Sequence, residues 1–128
     1  MTKQQITTDK APSAPAFLSQ AIVSNGLIFV AGQGHVDTDD TLIGDTTEEK
    51  LAQIIKNIEA ILKAANATLN DIVKVTIYVT DMAFMPDLNK AYPDYFDEPY
   101  PAREAVCVKA LPLGMDIEIS VIAKNPNE

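Results

Sequence analysis

Arg103 is the only arginine in the chain, and it stands directly after Tyr100-Pro101-Ala102 at the start of a run that reads as a strand. A guanidinium presents a planar fork of donors that matches a carboxylate with two parallel hydrogen bonds, a geometry lysine does not copy. Extended backbone sends successive side chains to opposite faces, so Arg103, Ala105 and Cys107 share one face while Glu104, Val106 and Val108 share the other. Most surface arginines are simply solvated or ion-paired, so the residue type alone does not assign a role.

A second set of polar side chains alternates along the last apolar run. Asp116, Glu118 and Ser120 share one face there, and Ile117, Ile119 and Val121 the other. Carboxylates so placed can position water or transfer a proton; equally, they can form a polar strand face paired with Lys74 or Lys109. His35 has no partner at metal-ligand spacing and reads as an exposed loop residue. Cys107 has no activating neighbour in the sequence and reads as packing rather than as a nucleophile. One histidine and one cysteine assemble neither a Ser/His/Asp triad nor a zinc site, so no metal is expected. Gly32-Gln33-Gly34 lacks the third glycine and the following helix of a dinucleotide or phosphate loop. Its glycines suit a close approach of the backbone to a ligand or a neighbouring subunit.

The elements that must hold these residues follow from periodicity. Residues 20–31 form two short runs around Asn25-Gly26, the residue pair of a type I′ hairpin turn. Thr46 with Glu49 matches a capping box. Leu51, Ile54, Ile55, Ile58, Ile61, Leu62 and Ala65 then recur at helical spacing, which predicts an amphipathic helix over 46–66. Residues 71–80 are a β-branched run that reads as a largely buried strand. A second helix is expected over 82–96, capped by Asp81, with Pro86 in its first turn and a kink or stop at Pro93. Strands over 102–109 and 115–124 complete the order β-β-α-β-α-β-β, joined through Leu111-Pro112-Leu113-Gly114. One sheet with both helices on one face satisfies that order. Its other face then carries bare apolar side chains, which points to an oligomer.

The whole chain agrees with a single domain over 1–128, its residues 1–16 lying over it as an arm. Hydrophobic residues are 47% and charged residues 22%, the balance of a folded protein. A net charge of −8 with scattered lysines argues against nucleic acid and anionic membranes as partners. No apolar leader follows Met1, the longest apolar stretch is too short to span a bilayer, and a lone cysteine suits a reducing compartment. The expected location is cytoplasmic.

Several segments taken together resemble one family. Ser19-Gln20-Ala21, the Asn25-Gly26 hairpin, Ala31-Gly32-Gln33, the run from Asp71 to Asp81, Asn89-Lys90-Ala91-Tyr92, Pro101-Ala102-Arg103 and Ile117-Glu118-Ile119 are similar to the RidA/YjgF reactive intermediate deaminases, in order and at matching separations from about residue 19 to 123. The resemblance implies a chorismate-mutase-like α+β fold, assembled as a homotrimer whose sheets form a central barrel. It implies ligand sites in clefts between subunits, with no cofactor or metal. The implied activity is hydrolysis of reactive enamines and imines, such as 2-aminoacrylate, to 2-keto acids and ammonia.

Carried over by position, Arg103 matches the arginine that binds the substrate carboxylate, Gly32 a pocket-lining glycine and Asn89 a common helix asparagine. Leu18, with Phe17 beside it, stands where the family commonly has tyrosine; Ser120 stands where it has an acid that positions water; Ala105 replaces a frequent cysteine. Ser120 can hold a water but is no base at neutral pH. Water activation is then left to Glu118, roughly 6–7 Å from Ser120 along the strand, to a group from the subunit interface, or to positioning of a labile imine alone. A deaminase anchored by Arg103 is the first expectation. The alternative is a non-catalytic trimer that binds small 2-keto or amino acids, or a protein partner, in a regulatory or chaperone-like role.

Overall fold

The computed structural model describes residues 2–127. Helix α1 (Thr47–Ala64) begins where its cap predicts. The Glu49 amide donates to Thr46 Oγ1 at 3.1 Å and the Thr46 amide donates to Glu49 Oε1 at 3.1 Å. Its seven predicted apolar positions are all buried. One polar residue, Asn57, sits within that buried stripe. Its amide donates to the Gly34 and Val36 carbonyls at 3.1 and 2.9 Å, tying the chain after the second hairpin strand to the helix.

The sheet has six strands: β1 (Gln4–Ile6), β2 (Ala21–Ser24), β3 (Leu27–Gly34), β4 (Ile72–Val79), β5 (Ala102–Cys107) and β6 (Ile117–Lys124). Their order across it is β1-β2-β3-β6-β4-β5, antiparallel throughout except for the β4–β5 pair. The β2–β3 hairpin turns on Asn25 and Gly26, both at positive φ (52° and 78°) as a type I′ turn requires. The amino-terminal segment, expected as an arm over the domain, also adds a strand. Gln4–Ile6 pairs with β2 and extends the sheet, because β2 would otherwise be an edge with open backbone donors and acceptors. The rest of that segment is pinned by buried Gln20, which accepts from the Thr8 amide at 2.7 Å and donates to the Thr8, Ala11 and Pro12 carbonyls at 2.9–3.1 Å.

The second helical region is broken. Single 3₁₀ turns at Met82–Phe84 and Tyr92–Tyr95 flank a short helix, α2 (Met85–Ala91). Asp81 caps the region by accepting from the Ala83 amide at 2.8 Å. Pro93 lacks the N–H an α-helix would need there, so the chain tightens to 3₁₀ and stops. The last two strands are shorter than the expected 102–109 and 115–124, and between them residues 112–114 form a 3₁₀ turn with Leu113 and Gly114 at positive φ.

The core lies between the sheet and the helices. Val75, Ile77 and Val79 of β4, Ile117, Ile119, Val121 and Ala123 of β6, and Ile28 and Val30 of β3 meet the apolar stripe of α1 together with Leu88 and Tyr92. On the opposite sheet face Ile22, Phe29, Tyr78, Val106 and Ile122 stay half-buried or exposed beside polar Lys74, Thr76, Glu104, Glu118 and Ser120, so the bare face expected from the sequence is apolar only in part.

Candidate functional site

Arg103 lies on the edge strand β5, beside Val75 of β4. Paired residues of adjacent strands share a face, so its side chain emerges on the helix side, next to α2. There its Nη2 donates to Asn89 Oδ1 at 2.6 Å, and its guanidinium carbon sits 4.7 Å from the centre of the Tyr92 ring. Tyr92 is buried and stacks on Phe96 at 4.6 Å between ring centres. Burial pushes its hydroxyl above the usual tyrosine range, the nearby Arg103 charge working the other way. Asn89 and Tyr92 thus hold one side of an exposed guanidinium and leave the rest of its donor fork to solvent. Ala105, two residues on, shares this face.

Glu118 and Ser120 are on the other side of the sheet. Their strand alternates with buried Ile117, Ile119 and Val121, so when those pack on the helices the polar residues point to the open face. β3 carries one extra residue against β6 between Val30 and Gln33. This bulge sets Gly32 over Glu118, where an added Cβ would overlap the carboxylate. Each glycine makes room for a side chain, Gly32 for Glu118 and Gly34 for the Met115 thioether. Half-buried, Glu118 is pushed above the ordinary carboxylate range by desolvation.

Glu118 lines a cleft of about 530 Å³ with Gly32, Phe17, Leu18, Leu113, Met115 and Asp40 among its walls. The sequence-derived site residues therefore divide into two groups within one chain. Phe17, Leu18, Gly32 and Glu118 meet in the cleft; Arg103, Asn89 and Ala105 form a second group across the sheet. Ser120 joins neither: it pairs with Thr76 on the open face and is not a wall of the cleft.

Three sequence expectations are corrected. His35 is buried, 2% exposed, and not a free loop residue. The Asp116 amide donates to its Nε2 at 2.9 Å, so Nδ1 carries the proton and donates to the Ile43 carbonyl at 3.1 Å. Burial lowers its pKa below the ordinary histidine value. Asp116 precedes β6 and pairs with Lys50 at 2.6 Å instead of Lys74 or Lys109; Lys74 pairs with Glu104 at 3.0 Å. Cys107 is exposed on the edge strand rather than packed. Among the described residues, no three His, Cys, Asp or Glu side chains gather to hold a metal, and no helix is long and apolar enough to cross a membrane.

Sequence reasoning missed Tyr92 as the support of Arg103, and Leu113, Met115 and Asp40 as cleft walls.

Residues 8–125 match the family model described as Endoribonuclease L-PSP. The chain is 39% identical over 122 residues to Protein HMF1 of Saccharomyces cerevisiae, covering 95% of each. It is 39% identical over 122 residues to the chloroplastic Reactive Intermediate Deaminase A of Arabidopsis thaliana, covering 94% of this chain and 65% of that protein. The crystal structure of E. coli TdcF with bound serine superposes with a TM-score of 0.86 at 30% identity, covering 94% of this chain and 98% of that one. With this fold and a match along nearly its whole length, the chain belongs to the RidA/YjgF family of Endoribonuclease L-PSP-like proteins, which includes reactive intermediate deaminases.

Proposed function

We propose that the protein hydrolyses enamine and imine intermediates of 2-amino acids, 2-aminoacrylate among them, to 2-keto acids and ammonia. The observation that carries this is the division of the site. The cleft has Glu118 and Asp40 as its charged walls and no Lys or Arg, so it suits the nitrogen end of a ligand and repels a carboxylate. Arg103, with its free donors, suits the carboxylate end. One chain does not bring the two ends together. A trimer that sets β5 of one copy against the cleft of the next would do so, and it would also cover the half-exposed Ile22, Phe29, Ile122 and Val106.

In such a site the carboxylate of the imino acid rests on Arg103 and Asn89, while its C=N group faces Glu118. Water adds to the carbon of the protonated imine, Glu118 takes a proton from that water and returns it to nitrogen, and the C–N bond of the carbinolamine breaks. The balance is R–C(=NH2⁺)–COO⁻ + H2O → R–CO–COO⁻ + NH4⁺. A carboxyl raised by burial is a better proton acceptor than a solvated one. Holding the reactants in place supplies the other part, about 7 kcal/mol or more for well-placed groups. Ser120 is not a wall of the cleft, and a serine hydroxyl is no base at neutral pH.

The acidic cleft and the chain's charge of −8 disfavour RNA as a substrate despite the family's name. Leu18, which brings no hydroxyl to the cleft, favours a second reading: a trimer that binds 2-keto or amino acids without turning them over. Imines generated in situ by an amino-acid oxidase separate the two. Wild type should accelerate ammonia release, Arg103→Ala should lose most of that, and both should sediment as trimers. Equal rates for the two proteins would remove Arg103 from the site, and no acceleration with intact keto-acid binding would establish the binder.

A further inference from the structure

Three of the chain's exposed large apolar side chains converge on the cleft that holds Glu118: Phe17 at 81% exposure, Leu113 at 56% and Leu18 at 41%. Buried Met115 lies between them and Glu118 along the chain and contributes to the same walls. Such a cluster is costly to leave in water, and each member is held there by structure. Phe17 and Leu18 end a segment whose course is fixed by the Gln20 hydrogen bonds to residues 8–12. Leu113 has φ of 61°, a left-handed backbone that a leucine rarely adopts. No packing need in the core explains it, since the side chain is exposed. Strain of this kind collects where a side chain must face a ligand.

The space of the cleft admits a ligand with a large apolar side chain. At the ~30 Å³ a water occupies in the liquid, a three-carbon imino acid of six heavy atoms takes about 180 Å³. The cleft offers about 530 Å³. A four-carbon or benzyl side chain brings the ligand to roughly 270–360 Å³ by the same measure, still within the space and in contact with more of the apolar wall.

We propose that this cleft seats a large apolar side chain, so that the preferred substrates are imines of amino acids such as leucine and phenylalanine rather than the three-carbon 2-aminoacrylate type. The specificity residues are Phe17, Leu18, Leu113 and Met115, with Phe17 as the outer cover. The occupant is fixed by charge as well as shape: Glu118 at one end accepts the nitrogen of the ligand, the apolar walls take its side chain, and the carboxylate is left to leave the cleft toward a cation. The chemistry of this inference rests on the deaminase reading; the binding preference does not.

The test uses the full-length protein and oxidase-generated imines of leucine, phenylalanine, alanine and glutamine. The expected result is a kcat/KM for the first two at least about tenfold above the alanine and glutamine imines. Leu113→Gly removes the side chain while suiting the positive φ, and Phe17→Ala trims an exposed residue, so neither threatens folding; each should pull the leucine-to-alanine ratio toward one. An alanine imine processed as well as the leucine imine overturns the preference and leaves the deaminase intact. If no imine is hydrolysed, calorimetry decides instead. 4-Methyl-2-oxopentanoate binding about tenfold more tightly than pyruvate supports the apolar seat, and equal or undetectable binding of both overturns it.

Discussion

Removing the support beneath Arg103 should weaken substrate binding without touching the chemical step. The guanidinium is held by the Tyr92 ring at 4.7 Å and by Asn89 Oδ1 at 2.6 Å. At an exposed site a cation–π contact contributes about 0.5–1 kcal/mol, which is roughly two- to fivefold in affinity. The Tyr92 hydroxyl is buried and has no hydrogen-bond partner. An unsatisfied buried donor costs about 1–3 kcal/mol, so Tyr92→Phe should be as stable as wild type or more so, and equally active. Tyr92→Leu keeps bulk but loses the ring face. On the proposed role of Arg103, KM for imine should rise about two- to fivefold with kcat unchanged, because a carboxylate that does not itself react is bound alike in the ground and transition states. Adding Asn89→Leu should raise KM further. Steady-state kinetics with urea unfolding of each variant check this. A Tyr92→Phe protein that loses activity would show the hydroxyl to be the working group, and an unchanged KM in Tyr92→Leu would refute the cation–π support altogether.

Gly32→Ala places a methyl against the Glu118 carboxylate. Because that carboxylate ends a flexible side chain, it should swing aside at small cost in stability while imine hydrolysis falls at least tenfold, measurable by ammonia release beside a melting curve. His35 makes stability depend on acidity. The unfolded histidine takes up a proton near pH 6.5 and the folded one only at lower pH, so the unfolded state binds more protons and stability falls as pH drops below about 6.5. The slope should be at most about 1.4 kcal/mol per pH unit, and urea melts of His35→Gln should lack this contribution. Gln20→Leu strips four hydrogen bonds from residues 8–12. At about 1 kcal/mol each, partly recovered by water, this should cost 2–3 kcal/mol and open the amino-terminal segment to proteolysis ahead of global unfolding.

Much of this architecture was legible before any tertiary contact. The seven-residue stripe from Leu51 to Ala65 fixed α1 because only one face of a helix repeats at that spacing. Asn25-Gly26 fixed the hairpin because few other pairs accept two positive φ values. The facing of Arg103 against Glu104, and of Glu118 against Ile119, followed from the two-residue period of a strand.

That period relates neighbours within one strand and says nothing about which face the helices will cover, or how far apart two strands will lie. The pairing of β5 to β4 and of β4 to β6 decided that Arg103 sits on the helix side and Glu118 on the open side. The bulge between Val30 and Gln33 decided that Gly32 serves Glu118, and packing buried His35 between the Asp116 amide and the Ile43 carbonyl. The sequence by itself determined which side chains were candidates for chemistry. Tertiary structure alone decided that they divide between the two sides of the sheet, because a sheet joins residues through strand order and register, neither of which is written in local periodicity.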